Sequence, residues 1–553
     1  MSGCKALVIG LDAATWDIID PLLARGELPN LARLVSQGVR GPLRSTIPPL
    51  TFCAWPAIMT GKNPGQIGIF SFYEHDLRRY ERSKRVSTAR PLVGQTWFDL
   101  VGATGQRVIA YGVPMTYPAW PINGAMVSGF PTPDLTRTYA YPPELEQRIP
   151  GPLPAEFQQH SREELASADG VRWSLEVVDR YYRMSLEHLR DLLSAGPVGL
   201  CMVAENLTDM FAHRFWWLRD PASPIHDPAA AARAGDPIAE VYRRTDAWIG
   251  ELLALAGPGA LVAVVSDHGA GAGATRLFSP NAWLREQGLL LGRGGVKRGL
   301  LRQGIRGARA VVTALGLAGA VRARSGGVVA RVRVDTERID WSRTRAYRIP
   351  MYPLGGGIQI NVRGRQPEGI VEPGAEYEAL REQIIRGLLA LRDPATGGPV
   401  VREAYRREEL YHGAHVERAP DIIYLNDPRY RSDWKLEPLL DDIPLVALRR
   451  HSGDHRLDGM LALHGPGVFR PGATPERASV IDVAPTVLHA LGMPVPDDMD
   501  GRVLEECFEP SFLLASPVRR GEAVGATAVA AGEYSLEEEA GIRDALRGLG
   551  YIE

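Results

Sequence analysis

ALVIGLD, residues 6–12, is an apolar run closed by a single acid. A strand buried on both faces reads as such a run rather than as an alternation, because helices cover a parallel sheet from both sides. The carboxylate at its end stands where an open parallel sheet presents side chains to a ligand. Residues 107–111, 197–203, 261–265 and 460–463 read as buried strands in the same way. Helical patterns lie between them. Residues 178–193 put apolar side chains at 178, 181, 182, 186, 189, 192 and 193, and residues 238–255 repeat the stripe after an Asp236-Pro237 start signal. The alternation predicts an α/β fold, a three-layer sandwich around a largely parallel sheet.

The chain of 553 residues is 45% hydrophobic, enough to bury a large core without disulfides. Its 63 basic residues nearly cancel 65 acidic ones, which removes the general positive field of a nonspecific nucleic-acid binder, and no specific nucleic-acid binding is expected. Four cysteines, at 4, 53, 201 and 507, form no Cys-x-x-Cys pair and read as free thiols of a reducing compartment. The first residues lack a signal-peptide core, and no apolar stretch reaches membrane-spanning length, so the expectation is a cytoplasmic protein. Residues 293–333 hold ten basic residues and no acidic one. They suggest a basic inserted cap segment, 293–334, between core pieces 1–292 and 335–514. Arg302, Arg306 and Arg309 would form one solvated face there, or an anionic docking surface. Residues 515–553 read as an Ala- and Gly-rich linker and a helix over 535–547, stopped by Gly548 and Gly550.

Acids and histidines keep falling at predicted strand ends. Asp12 ends ALVIGLD, Asp209 and His213 follow VGLCMVAENLT, Asp267 and His268 end LVAVVSDHG, and His455 sits in HSGDHRLDG. Each alone reads as an ordinary cap or surface residue. Together they offer three carboxylates and three imidazoles, suitable ligands for two zinc-like ions that could clamp the attacking and leaving oxygens of an in-line displacement. The glycine after Asp267-His268 would permit close backbone approach. A hydroxyl for such chemistry is offered by TIPPLTFCAWPAIMTGKNPG, residues 46–65. Thr51 would cap a helix over residues 52–59 that ends at Thr60-Gly61, placing its hydroxyl at the positive end of the dipole.

The order Asp12, Thr51, Asp209-x-x-x-His213, Asp267-His268, His455 resembles that of the alkaline phosphatase superfamily, and most its type I phosphodiesterase/nucleotide pyrophosphatase branch. Gly61, Pro64 and Gly68-Ile69 follow Thr51 at the branch's spacing. The resemblance continues through Tyr347, GGIQINVRGRQPEGIV (356–371), Tyr411, Gly413, Ala419-Pro420-Asp421, Asp482-Val483-Ala484-Pro485-Thr486 and Asp500-Gly501. It implies an alkaline phosphatase-like core and a phosphoester hydrolase, most simply a phosphodiesterase acting on a small molecule with Thr51 as nucleophile. It also implies two divalent metal ions, zinc first, with manganese and iron left open. One metal would be held by Asp209, His213 and His455, with His451 as the fallback, and the other by Asp12, Asp267, His268 and the Thr51 oxygen.

Two departures bear on substrate. About twenty residues after the nucleophile, where the branch has an Asn that helps hold a phosphate oxygen, stands Ser71-Phe72-Tyr73. Ser71, Tyr73 or a backbone amide would have to replace that contact. The span from His268 to His455 also leaves room for the cap, so nucleotide specificity does not transfer with the resemblance. A phosphomutase or phosphomonoesterase of the same superfamily remains an alternative, as does a silent binding protein. A sulfatase is disfavoured, because Cys53 is followed by Ala-Trp-Pro-Ala without the Pro and Arg in register.

Overall fold

The computed structural model describes residues 3–80, 85–133, 139–149, 168–293, 338–449, 451–522 and 534–549. A sheet of eight strands forms the centre. Strands β1 (Cys4–Leu11), β2 (Val39–Arg44), β3 (Val108–Val113), β4 (Gly124–Ser128), β5 (Ala140–Tyr141), β6 (Val198–Glu205) and β7 (Leu261–Val265) are joined by Asp458–His464, in the spatial order β2, Asp458–His464, β7, β1, β6, β3, β4, β5. β7, β1, β6, β3 and β4 run parallel, while Asp458–His464 is antiparallel to both β7 and β2, and β5 is antiparallel to β4. The large, mostly parallel sheet expected from the apolar runs is present. All eight residues of β6 and all six of β3 are buried, which explains why neither run alternates.

Helices cover the sheet in two groups. Pro29–Ser36, Ala168–Ser194, Leu207–Arg219 and Pro237–Ala256 associate with one another, while Thr51–Thr60 associates with Trp97–Ala103 and Val483–Ala490. The start signal at Asp236 is confirmed, since its carboxylate accepts the Ala239 N–H and Pro237 is the first helical residue. A second, antiparallel sheet runs in the order Ala346–Ile349, Gly355–Ile360, Ile422–Asn426, Val401–Arg406.

The proposed cap lies outside the described residues beyond Arg293. In the expected linker, Arg520–Gly521 instead pairs in parallel with Val495–Pro496, since alanine and glycine do not prevent backbone pairing. The last helix spans Leu536–Leu549 and passes through Gly548, a tolerated cost of about 1 kcal/mol. It is docked on the core by buried Ile542 and Leu546 and by the Tyr534 hydroxyl, which donates to the Tyr117 carbonyl at 2.9 Å.

Close packing at the end of β1 sets the geometry of the site. A Cβ at Gly10 would run into the Trp55 ring and crowd Ala204. Gly10→Ala is therefore expected to destabilise the fold by about 1–3 kcal/mol through overpacking. The check is a chemical denaturation in which the midpoint falls at unchanged slope.

Candidate active site

Each expected side chain reaches the carboxyl end of the parallel strands by a different local device. Asp12 follows β1 directly, and its Oδ2 accepts from the Trp55 indole N–H at 3.3 Å, tying the strand end to helix Thr51–Thr60. After β7 the chain turns through Ser266, whose hydroxyl bonds the His268 carbonyl, and Asp267 Oδ1 accepts the Ala13 N–H at 3.2 Å. Asp209 and His213 stand one turn apart on helix Leu207–Arg219, with Asp209 Oδ1 3.1 Å from His213 Nε2. Glu205 starts that helix, its carboxylate accepting the Leu207 and Thr208 N–H groups. His455 lies in the short strand Gly453–Arg456, which pairs antiparallel with Gly269–Ala272. The backbone approach foreseen at Gly269 is real: a Cβ there would strike the Asp458 carbonyl.

Thr51 differs slightly from expectation. Leu50 is the cap, and Thr51 is the first residue of a helix whose ten residues are all buried and which Gly61 closes in the left-handed conformation, φ 66°. Its hydroxyl still lies at the helix N-terminus, 3.4 Å from His268 Nε2. Beyond the helix, Asn63 is held by the Asp500 carboxylate, and the Gly61 carbonyl accepts the Asp500 and Gly501 N–H groups. The Asp500-Gly501 pair is thus a brace for the Thr51 helix.

The three imidazoles share one arrangement. Nδ1 of His213, His268 and His455 faces the carbonyls of Gly453, Gly269 and Pro49 at 2.7, 3.1 and 2.9 Å. A carbonyl only accepts, so each Nδ1 carries the proton, and in the neutral ring Nε2 is left as a lone pair. The three Nε2 atoms converge. His213 Nε2 is 3.0 Å from His455 Nε2, and His268 Nε2 is 3.5 Å from Asp12 Oδ1 and 3.3 Å from Asp267 Oδ2. His268 and His455 stack with ring centroids 3.7 Å apart. Three ligand groups result among the described residues, Asp209/His213/His455, Asp12/Asp209/His268 and His213/His451/Asp454, the atoms of each lying within 4.8 Å of one another.

Electrostatics leave this cluster short of positive charge. Burial, then the charges of Asp267 and Asp209, raise the Asp12 carboxyl well above its usual range, and burial pushes Asp267 up to about 8. Burial also lowers the imidazoles of His268 and of His455, the latter to about 4. Asp209 resists its own burial because His213 beside it supplies positive charge and a hydrogen bond, which holds its carboxyl low. Asp12 Oδ1 and Asp267 Oδ2 are buried and accept no hydrogen bond among the described residues. Buried carboxylates and imidazoles crowded this closely, which in the absence of an ion must hold protons to offset their mutual repulsion, are what a divalent cation matches, so the residues fit such ions.

His451 stands behind His213, ring centroids 4.1 Å apart, and its Nε2 is 2.8 Å from Asp454 Oδ1. Asp454 also receives Arg431 at 3.2 Å. Asp454, Arg431 and Trp55 form supporting contacts that the sequence reading overlooked. Asp454 could have been noticed as the acid adjoining His455; Arg431 carries no local signal. Ser71 and Tyr73 are not joined to Thr51 by any described hydrogen bond. Ser71 Oγ accepts the Tyr73 N–H at 3.3 Å, and Phe72 between them packs edge-on against Phe52 with centroids 4.9 Å apart. A cavity of about 390 Å³ opens beside His455, between the main sheet and the second sheet, lined among others by Thr15, Pro49, Tyr352, Leu354 and Leu425.

Among known proteins, no curated protein matches the chain. Human ectonucleotide pyrophosphatase/phosphodiesterase 5 is similar in structure, with 13% identity over 91% of this chain and 100% of its own and a TM-score of 0.46. The murine protein, solved as an inactive variant in complex with AMP, has 14% identity, the same coverage and a TM-score of 0.46. Residues 6–456 match the family model described as type I phosphodiesterase/nucleotide pyrophosphatase. That span contains every residue of the cluster from Asp12 to His455, and the chain belongs to the type I phosphodiesterase/nucleotide pyrophosphatase family, hydrolases of phosphoric ester bonds.

Proposed function

We propose that the protein is a metal-dependent phosphodiesterase in which Thr51 attacks the phosphorus of a small-molecule ester. The observation that carries this reading is the convergence of three imidazole Nε2 atoms and three carboxylates, with the Thr51 hydroxyl 3.4 Å from His268 Nε2. Asp209, His213 and His455 would hold one divalent ion, and Asp12, Asp267 and His268, with the Thr51 oxygen, the other. Zinc suits this donor set best. Two such ions supply Lewis acidity that favours the ionised hydroxyl and neutralises charge on the phosphate.

The chain's own groups do the rest. Helix Thr51–Thr60 fixes the hydroxyl through its buried packing and aims the positive end of its dipole at the developing charge. The Nδ1 bonds to Pro49, Gly453 and Gly269 fix the tautomer and orientation of each imidazole. Asp12 is oriented by Trp55 and Asp267 by the Ala13 N–H. Four buried, unpaired cysteines support placing the protein in the reducing cytoplasm. Among the described residues, no helix is long and apolar enough to cross a membrane.

The surroundings of Thr51 favour a diester over a monoester. A monoester brings a second negative charge and calls for extra cationic or multi-donor contacts. Lys62, just past the Thr51 helix, is taken up by Asp498 at 2.5 Å and by the Gln95 side-chain amide oxygen at 3.0 Å, and Arg44, before it, pairs with Glu403 at 3.7 Å. Arg79 is exposed and pairs with Asp76, and Arg78 is exposed as well. Aryl phosphodiesters are expected to have a higher kcat/KM than the monoester with the same leaving group. Metal-reconstituted protein should be assayed with phosphate mono- and diesters and a sulfate ester at matched metal loading and low salt. A tenfold or greater preference for the monoester would sink the diesterase reading and favour a phosphatase or mutase.

A further inference from the structure

The helix that carries Asp209 and His213 is bonded at its start to a residue of the other expected ligand set. β6 ends at Glu205, and the chain turns through Asn206 into helix Leu207–Arg219. Glu205 turns its carboxyl to the first turn, Oε2 accepting the Leu207 and Thr208 N–H groups and Oε1 lying 2.9 Å from Thr208 Oγ. A β-branched side chain is already stiff at χ1, and these contacts hold Thr208 in one orientation. From there its hydroxyl donates to the Asp12 carbonyl at 2.5 Å, across 196 residues of sequence. All three residues are buried. Because the Glu205 carboxyl already takes the first-turn N–H groups, the Thr208 hydroxyl is not spent on capping its own helix.

Asp12 is thereby held by two elements. Its N–H donates to the Glu205 carbonyl at 3.0 Å, and its carbonyl has no donor other than Thr208 among the described residues. Both of its backbone polar groups are thus tied to the start of the helix that bears Asp209 and His213. Its side chain is tied elsewhere, Oδ2 accepting the Trp55 indole N–H at 3.3 Å from the helix that begins with Thr51. Oδ1 is left 3.5 Å from His268 Nε2. A ligand oxygen kept within about 0.5 Å of its working position needs such contacts behind it.

We propose that Thr208 is a positioning residue of the metal centre. Its hydroxyl sets the Asp12 carboxylate against the Asp209/His213 pair, and so sets the affinity for the ion that Asp12, Asp267 and His268 would hold. The inference rests on the two-metal reading above and adds the bond that ties one expected ion position to the other. Asp209 and His213 depend on it less, since they stand on the helix itself and His213 Nδ1 is bonded to the Gly453 carbonyl at 2.7 Å.

The test titrates metal-free, full-length protein with zinc against a chromophoric chelator. Wild type should take up two ions. Thr208→Val keeps the shape and removes the hydroxyl. One zinc dissociation constant should rise about 10–100-fold, as on loss of a hydrogen-bond partner behind a ligand, while the other stays within about threefold. Added to His455→Ala, which leaves only the Asp12 group intact, the substitution should weaken the remaining ion by the same factor. Thr208→Ser keeps the bond and should bind both ions as wild type does. Thr208→Ala should behave as the valine variant and replaces it if valine at this buried position prevents folding. Unchanged zinc affinity without the hydroxyl, equal weakening of both ions, or a serine variant as weak as valine overturns the inference and leaves the two-metal reading standing. Wild-type protein that takes up no zinc overturns both.

Discussion

Thr51→Ala turns over phosphodiesters at least about a thousandfold more slowly than the wild type, whereas Thr51→Ser retains measurable activity. Removing an activated nucleophile leaves only binding and electrostatic contributions, and losses of this order follow. Thr51 is fully buried as the first residue of its helix, 3.4 Å from His268 Nε2. The alanine variant keeps the Cβ and a good helix former, so its folding is expected to be intact. Steady-state rates at saturating substrate, with metal content and Tm measured on the same sample, decide the matter. A Thr51→Ala protein near wild-type turnover would reduce the residue to a helix-starting threonine.

Chelation abolishes hydrolysis, and elemental analysis of the reconstituted protein returns two divalent ions per chain. Charge drives this expectation, since Asp12, Asp209 and Asp267 are crowded in a site where only Asp209 has a cationic neighbour holding its carboxyl low. His455→Ala should lose one ion, because His455 Nε2 lies 3.5 Å from Asp209 Oδ1 and 3.0 Å from His213 Nε2. His451→Ala should keep both, since that ring is bonded to Asp454 behind the cluster. The reverse outcome would exchange the two histidines in the ligand set. No stoichiometric metal, with activity indifferent to chelator, would remove the metal reading altogether.

Stability should follow the same electrostatics. The raised carboxyls of Asp12 and Asp267, the latter at about 8, bind protons in the folded chain that the unfolded chain has released above about pH 4. Each therefore removes stability as pH rises toward its folded pKa. His213, raised by Asp209, acts in the same direction above its unfolded value. The depressed imidazoles of His268, His451 and His455 add stability as pH rises, but only up to about 6.5, the unfolded value. From about pH 6.5 to 8 the metal-free protein should lose stability, and metal loading should flatten that slope by replacing the protons. Denaturation midpoints at both pH values, with and without metal, provide the measurement; a metal-free protein whose midpoint rises over this interval contradicts the assignment.

The sequence by itself determined the strands and the nature of the site. Buried parallel strands must be continuously apolar, so ALVIGLD, VGLCMVAENLTD and LVAVVSDHG announced both the sheet and the places where Asp12, Asp209 and Asp267 emerge. Helix periodicity did the same for Pro237–Ala256, down to its Asp236 cap. Donor chemistry then pointed to metals before any distance was known. Only the tertiary structure decided what depends on long-range contact. His455 joins His213 because Gly453–Arg456 pairs with Gly269–Ala272, a register set some 180 residues away along the chain. Phe72 packs edge-on against Phe52, and the Tyr352 ring comes to His455 on a linker of the second sheet, through packing that no local pattern shows. A hydroxyl's residue type is written in the sequence, but whether it finds a partner is settled by everything packed around it.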